Sequence, residues 1–287
     1  MNLSFLSGSF PPKDYWNKKV IHFKNEARFA SSLPNIEELI RSFTGSFVSG
    51  DWSDPLSVDI NASLVDEKGV FQQMLSIGIE EAQKAYRNGF SLCFGDLSDT
   101  IPSLSRLKTE SIKYFGYEDL IAITGYLSPT NAVGVLHFDR QHNFFIQTQG
   151  TKRWFVSERP AIKNPYQNLV YAGTPKKFFD DMRDRGYEIL LPRECGKGTY
   201  DLSPGDVLYV PPGYYHSPET TGDASLHYTL TVEPACFWKD LNAKLADLML
   251  SNNGLFFEDY RFLESGEKSR LYEECFQIID QGVLKSE

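Results

Sequence analysis

A histidine and an aspartate stand one residue apart in "HFDRQHNFFIQTQGTKRW", residues 137–154, and a second histidine, His216, follows the proline-rich run of "LSPGDVLYVPPGYYHSPE". On a strand, residues two apart face the same side, so His137 and Asp139 point together while Phe138 points away. If that side is an interior, an imidazole and a carboxylate converge there. The plain alternative is a polar strand with a satisfied buried histidine, and on the dipeptide alone that reading is the stronger one. His216 changes the balance. Pro204 and Gly205 suit a tight turn, Asp206 to Val210 reads as a strand, and Pro211-Pro212-Gly213 then delivers the second imidazole at a strand end. Two imidazoles and one carboxylate on one face of an ion form the triad suited to Fe(II), with positions left for a cosubstrate and oxygen. Structural zinc calls for four closed ligands, preferably thiolates, and Cys93, Cys195, Cys236 and Cys275 all lie away from both histidines in sequence.

The elements that must position this group change character along the chain. Residues 1–118 read as mixed and mostly helical: "NIEELIRSF" and "EKGVFQQMLSIGIEEAQKAYRNG" carry apolar residues three and four apart, with short strands in "KKVIHFK" and "FSLCF". From 119 to 235 the period falls to two, in "LIAITGYL", "GVLHFD", "NFFIQTQ", "KRWFVS", "GTYDLS", "DVLYVP" and "SLHYTLTV". So many short strands imply a small antiparallel barrel or sandwich. A connection over 158–198 interrupts them and holds a helix in "PKKFFDDMRDRG". Residues 236–287 return to a helical pattern, a candidate dimerisation element packed on the barrel or shared with a second subunit, with Trp238 as a packing anchor.

At 287 residues the chain can bury a sizeable core. Its formal charge of −9 disfavours direct nucleic-acid binding and leaves peptides or small molecules as partners. The cysteines have no CxxC spacing, which suggests neither a disulfide framework nor a zinc knuckle and fits a reducing, cytoplasmic setting. No stretch approaches a bilayer-spanning apolar run, so no membrane is expected.

From "FPPKDYWNKKVIHFK" through "YLSPTNAVGVLHFDRQHNFFIQTQGTKRW" to "LSPGDVLYVPPGYYHSPETTGDASLHYTLTV", the chain resembles the JmjC-type, cupin-like Fe(II)/2-oxoglutarate oxygenases. The similarity is nearest to the ribosomal oxygenase branch, with local likeness around Asn143 to the asparaginyl hydroxylase of hypoxia-inducible factor. It implies a mainly β fold with flanking helices: a double-stranded β-helix (cupin, jelly-roll) core, N-terminal elements packed on it and a helical C-terminal appendage. His137, Asp139 and His216 match the three iron ligands. Lys152 matches the lysine that pairs with the distal carboxylate of 2-oxoglutarate, a role in keeping with an ammonium held deep in a barrel. The plain reading of "GTKRW" is a solvated basic pair after a turn. Tyr126, Asn143, Thr229 and Thr231 match further cosubstrate contacts, although such residues are ordinary in strands. His227 shares the parity of the two threonines and is expected to shape the pocket. His22 and His142 are read as structural, Arg140 and Gln141 as a solvated loop, and Gln147 as a satisfier of buried backbone.

The resemblance implies hydroxylation of an amino-acid side chain in a protein or peptide, a ribosomal protein foremost, with Fe(II), 2-oxoglutarate and O2. The ribosomal oxygenases continue into a winged-helix domain that this sequence does not display, which puts the ribosomal substrate in question. A free amino acid or small peptide of specialised metabolism is the alternative within the class. Outside it stands a metal-binding cupin without turnover.

Overall fold

The structure, a computed structural model, describes residues 14–25, 28–48, 59–67, 69–116, 121–234, 237–251 and 264–280. Residues 1–234 form one compact unit and residues 235–287 another. The first unit holds strands β1 (Ile21–Phe23), β2 (Ile60–Val65), β3 (Phe71–Met74), β4 (Ser91–Asp96), β5 (Ile121–Ser128), β6 (His137–Phe138), β7 (His142–Gln149), β8 (Lys152–Val156), β9 (Leu169–Val170), β10 (Gly198–Leu202), β11 (Val207–Val210), β12 (His216–Thr220) and β13 (Ser225–Val232). Its helices are α1 (Ile36–Val48), α2 (Ile79–Arg87), α3 (Pro102–Phe115) and α4 (Lys176–Asp184). The second unit contains α5 (Phe237–Ser251) and α6 (Ser265–Ile279). The side chain of Trp238 and all of Cys236 lie outside the described residues.

The strands form two antiparallel sheets, an eight-stranded one in the order β1-β11-β7-β13-β5-β4-β2-β3 and a five-stranded one in the order β10-β8-β12-β6-β9. This is the expected mainly β, cupin-type architecture. Alternation along the strands separates two faces. Phe144, Ile146, Val207, Tyr209, Tyr228, Leu230 and Ile123 look outward from the larger sheet and pack with residues of α1, α2 and α3. Their neighbours Phe145, Leu208 and Val210 look inward and meet Trp154, Val156 and Leu202 of the smaller sheet. The connection between β8 and β10 covers the other side of the smaller sheet, where Phe179 and Met182 of α4 pack with Phe138, Leu169 and Tyr215.

Two sequence expectations are corrected here. The stretch read as one helix from 67 to 89 begins as a strand, because Phe71–Met74 finds a partner in β2, with Ala62 opposite Met74 and Val65 opposite Phe71. Pairing in the sheet overrides a helical spacing whose Gln72 and Gln73 have no core to bury against. The helix starts only after Ser76, at φ 51, and Gly78. Likewise His216 does not close a strand but opens β12, which the sequence hid behind Pro218. A proline is awkward in an inner strand. Here it sits where β6 has ended, and the Gly134 N–H donates to the Pro218 carbonyl at 2.7 Å. Gly134 is required, since a Cβ there would lie 2.6 Å from the Pro218 ring.

Candidate metal centre

Strands β6 and β12 set the first pair of site residues side by side, with His137 directly opposite His216 in register. Gly213 makes that approach feasible: its φ is +79 and a Cβ would fall 2.1 Å from the Ile162 carbonyl oxygen. The Asp139 carbonyl accepts from the Gly213 N–H at 2.8 Å, which ties the aspartate's backbone to the same bend. His137, Asp139 and His216 thereby offer ligand atoms that all lie within 4.8 Å of one another. Asp139 Oδ2 is 3.7 Å from His137 Nε2 and 3.3 Å from His216 Nε2.

Both rings are oriented by their far nitrogens. His137 Nδ1 lies 2.9 Å from the Val135 carbonyl and His216 Nδ1 2.9 Å from the Tyr214 carbonyl. A carbonyl only accepts, so each Nδ1 donates to it and each Nε2 is left facing Asp139. His216 Nε2 is fully buried without a hydrogen-bond partner among the described residues, as befits an atom shaped for an ion. Burial, and then the neighbouring His216, lower the His137 pKa and favour the neutral imidazole a metal needs. Burial would raise the Asp139 carboxyl, but His137, His216 and the Asn143 amide outweigh it and bring the pKa to about 2. The donor set is thus two imidazoles and a carboxylate, which fits Fe(II). His137 keeps 26% of its side chain exposed against 1% for His216, so the centre opens to solvent past His137.

Asn143 and Thr231, expected at the cosubstrate, are engaged with the candidate ligand Asp139. Asn143 donates its Nδ2 to Asp139 Oδ2 at 2.7 Å, and Thr231 donates its hydroxyl to Asn143 Oδ1 at 3.1 Å. The threonine fixes which way the amide points, and the amide holds the carboxylate.

Lys152, expected as the anion partner, is 1% exposed on the inner face of β8. The hairpin that places it turns at Gly150, whose φ is +66 and where a Cβ would lie 2.4 Å from the Ala224 carbonyl oxygen, which excludes a side chain. Its Nζ reaches Ser128 Oγ at 3.0 Å and His227 Nδ1 at 2.7 Å. Among the described residues no carboxylate pairs with it. Burial brings its pKa down from 10.5 to about 7. His227 is pushed well below its ordinary range by burial and by Lys152, so its Nδ1 accepts from the amine. Tyr126 stacks on His227, ring centroids 4.9 Å apart and 4° from parallel. Cys93, its cross-strand neighbour, together with burial and Asp139 raises the phenol's pKa far above normal and keeps it a neutral donor. Thr229 is buried on the same face with its hydroxyl unpartnered among the described residues.

The remaining polar residues have other partners. Arg140 and Gln141, read as solvated, both donate to Glu233 Oε1, at 2.9 and 2.7 Å. Gln147 Nε2 satisfies backbone carbonyls of Gln149 and Gly150 together with the Ser225 hydroxyl. His142 meets the Tyr209 hydroxyl at 2.9 Å beneath the stacked Trp16 ring, and His22 lies 3.2 Å from Asp206. Sequence reasoning left Ser128 and Trp154 unassigned. The even spacing of Ser128 from Tyr126, and of Trp154 from Lys152, was the available signal.

Fold and centre together define a cupin-type architecture with a candidate site for one metal ion. Residues 101–238, just under half of the chain, match the family model described as "JmjC domain". The Bacillus subtilis "Uncharacterized protein YxbC" is 27% identical over 249 residues, covering 84% of this chain and 72% of its own length. Human "Ribosomal oxygenase 1" is 32% identical over 117 residues, 40% of this chain but only 16% of the human protein. Among solved structures, the Escherichia coli ribosomal oxygenase YcfD in complex with cobalt and 2-oxoglutarate superposes with a TM-score of 0.55 at 18% identity, covering 94% of this chain and 65% of that one. No helix among the described residues is long and apolar enough to cross a membrane.

Proposed function

We propose that the chain is an Fe(II)- and 2-oxoglutarate-dependent dioxygenase that hydroxylates an amino-acid side chain in a protein or peptide. The observation that carries the reading is one inner face that joins a His-Asp-His cluster to a buried, carboxylate-free lysine. A metal-binding cupin without turnover has no use for the second of these. The name of the human relative makes a ribosomal protein the leading substrate.

His137, Asp139 and His216 would hold the iron and leave its other positions open. An Fe(II) ion held there with 2-oxoglutarate would supply the oxidising chemistry, by which one atom of dioxygen goes to a substrate C–H bond and the other to succinate, with loss of carbon dioxide. The work of the chain is positioning. Lys152 and Tyr126 grip the far carboxylate of the cosubstrate, the first by charge and the second as a neutral donor. Thr229 offers a further hydroxyl, and Thr231 with Asn143 keeps Asp139 aimed. Phe145, Leu208 and Val210 exclude water from the inner end of the site. Substrate enters past the half-open ring of His137.

The test is succinate production from 2-oxoglutarate by the purified chain with Fe(II), together with mass spectrometry of candidate peptides for a gain of one oxygen. Asp139→Ala is expected to lower turnover by at least about a thousandfold while the chain still folds, since it deletes an ion ligand near the opening. Unchanged succinate production in that variant defeats the assignment.

A further inference from the structure

We infer that Trp154 is a binding residue of this site, its indole N–H donating to a carboxylate oxygen of the dicarboxylate cosubstrate. The inference rests on the oxygenase reading and extends it to a residue with no assigned role. Trp154 lies two residues after Lys152, and both are buried on the inner side of β8. Its ring is stacked on Phe145 with centroids 3.9 Å apart, 6.1 Å from the ring of His216 and 5.4 Å from that of His227. The indole therefore stands between a metal ligand and the imidazole that contacts Lys152, along the span a dicarboxylate has to cover. Its Nε1 is fully buried and meets no acceptor among the described residues. An indole N–H can only donate, and unlike the hydroxyl of Thr229 it cannot turn to another partner while its ring is held by Phe145. Buried donors in folded proteins are almost always satisfied, so the missing acceptor must come from what the site binds. An oxygen-rich dianion anchored on Lys152 supplies it.

The experiment uses the full chain loaded with Zn(II), which allows binding without turnover. Calorimetry measures 2-oxoglutarate affinity for the wild type, Trp154→Phe and Lys152→Ala, and 15N-indole NMR follows the tryptophan N–H resonances as 2-oxoglutarate is added. Trp154→Phe keeps the stacking ring and removes the donor; it should weaken binding roughly tenfold with Zn(II) affinity unchanged. In the wild type, one indole resonance should move downfield and exchange more slowly with water. The same resonance should be absent from Trp154→Phe. If that variant does not fold, Trp16→Phe, Trp52→Phe and Trp238→Phe assign the resonance by elimination. An unmoved Trp154 resonance overturns the inference whatever the affinities, because a packing role alone leaves the N–H untouched. Unchanged affinity in Trp154→Phe also overturns it. Lys152→Ala separates the two levels: if it binds normally the oxygenase reading fails as well, whereas if it binds poorly only the Trp154 inference has failed.

Discussion

Strand β13 shows His227, Thr229 and Thr231 to the space between the sheets, and Tyr228, Leu230 and Val232 to the helices behind. The two sets interleave on one strand, yet they are held by opposite physics. Behind the strand, apolar side chains pack with Phe144, Ile146 and Ile123, and the Tyr228 hydroxyl donates to the Pro34 carbonyl at 2.9 Å. Burial there removes apolar surface from water, so it stabilises. In front, Lys152 has lost water without gaining an anion, and Thr229 Oγ1, Trp154 Nε1 and His216 Nε2 are buried without hydrogen-bond partners among the described residues. Burial there costs stability. Strength sits on one face of the sheet and chemistry on the other.

The sharpest break of that division is a cavity in the outer face. Phe144 is wholly buried against Trp16, Phe115 and Tyr209. Phe144→Ala should destabilise the fold by about 3–5 kcal/mol. Denaturant unfolding measures the loss, and metal affinity of the remaining folded protein should be unchanged. A parallel fall in metal affinity would mean that the faces are mechanically one.

The same division explains what could be read from the sequence. The outer face was legible because apolar alternation is itself the force that builds it, and "NFFIQTQ" and "SLHYTLTV" carry that signal plainly. His137 and Asp139 were legible as a pair because spacing of two places them on one side of any strand. The contact of Lys152 with Ser128 and His227 was not, since it joins β8 of one sheet to β5 and β13 of the other, and no local pattern encodes which strands face each other. The link from Thr231 through Asn143 to Asp139 was hidden for the same reason: Thr231 lies opposite Asn143 only because β13 pairs with β7. Proline in β12 and the helical spacing around β3 misled because ladder partners, absent from local sequence, decided both.

A smaller effect with the opposite sign is expected on the inner face. Lys152→Met keeps the volume and removes a buried amine that has no anion beside it among the described residues, so it should raise stability by about 1–3 kcal/mol at pH 6, while 2-oxoglutarate binding falls by about a hundredfold. Unfolding curves and calorimetry on the same samples check both halves. If the variant is less stable than the wild type, the lysine is a structural element, and the contrast between the faces collapses.

The finest test is the pH dependence of that lysine. Burial takes its pKa from 10.5 in the unfolded chain to about 7 in the folded one, and among the described residues no acid pairs with it: Ser128 comes from β5, His227 from β13, and Thr220 lies opposite on β12. Between these two values the unfolded chain binds the extra proton and the folded chain does not, so this residue makes the fold more stable as pH rises. Its full penalty is present below pH 7, where the advantage of Lys152→Met should be greatest, and it fades toward pH 10.5. Binding a dianion reverses the preference, because the charged ammonium then has a partner. At pH 8 the protein should therefore take up close to one proton as 2-oxoglutarate binds. Its affinity should fall with rising pH, by up to about tenfold per unit. Calorimetry of the Zn(II) form in phosphate and in Tris, whose ionisation enthalpies differ, reads the proton directly. No uptake at pH 8 would mean that the lysine is charged before the cosubstrate arrives, and that the inner face is better solvated than its burial implies.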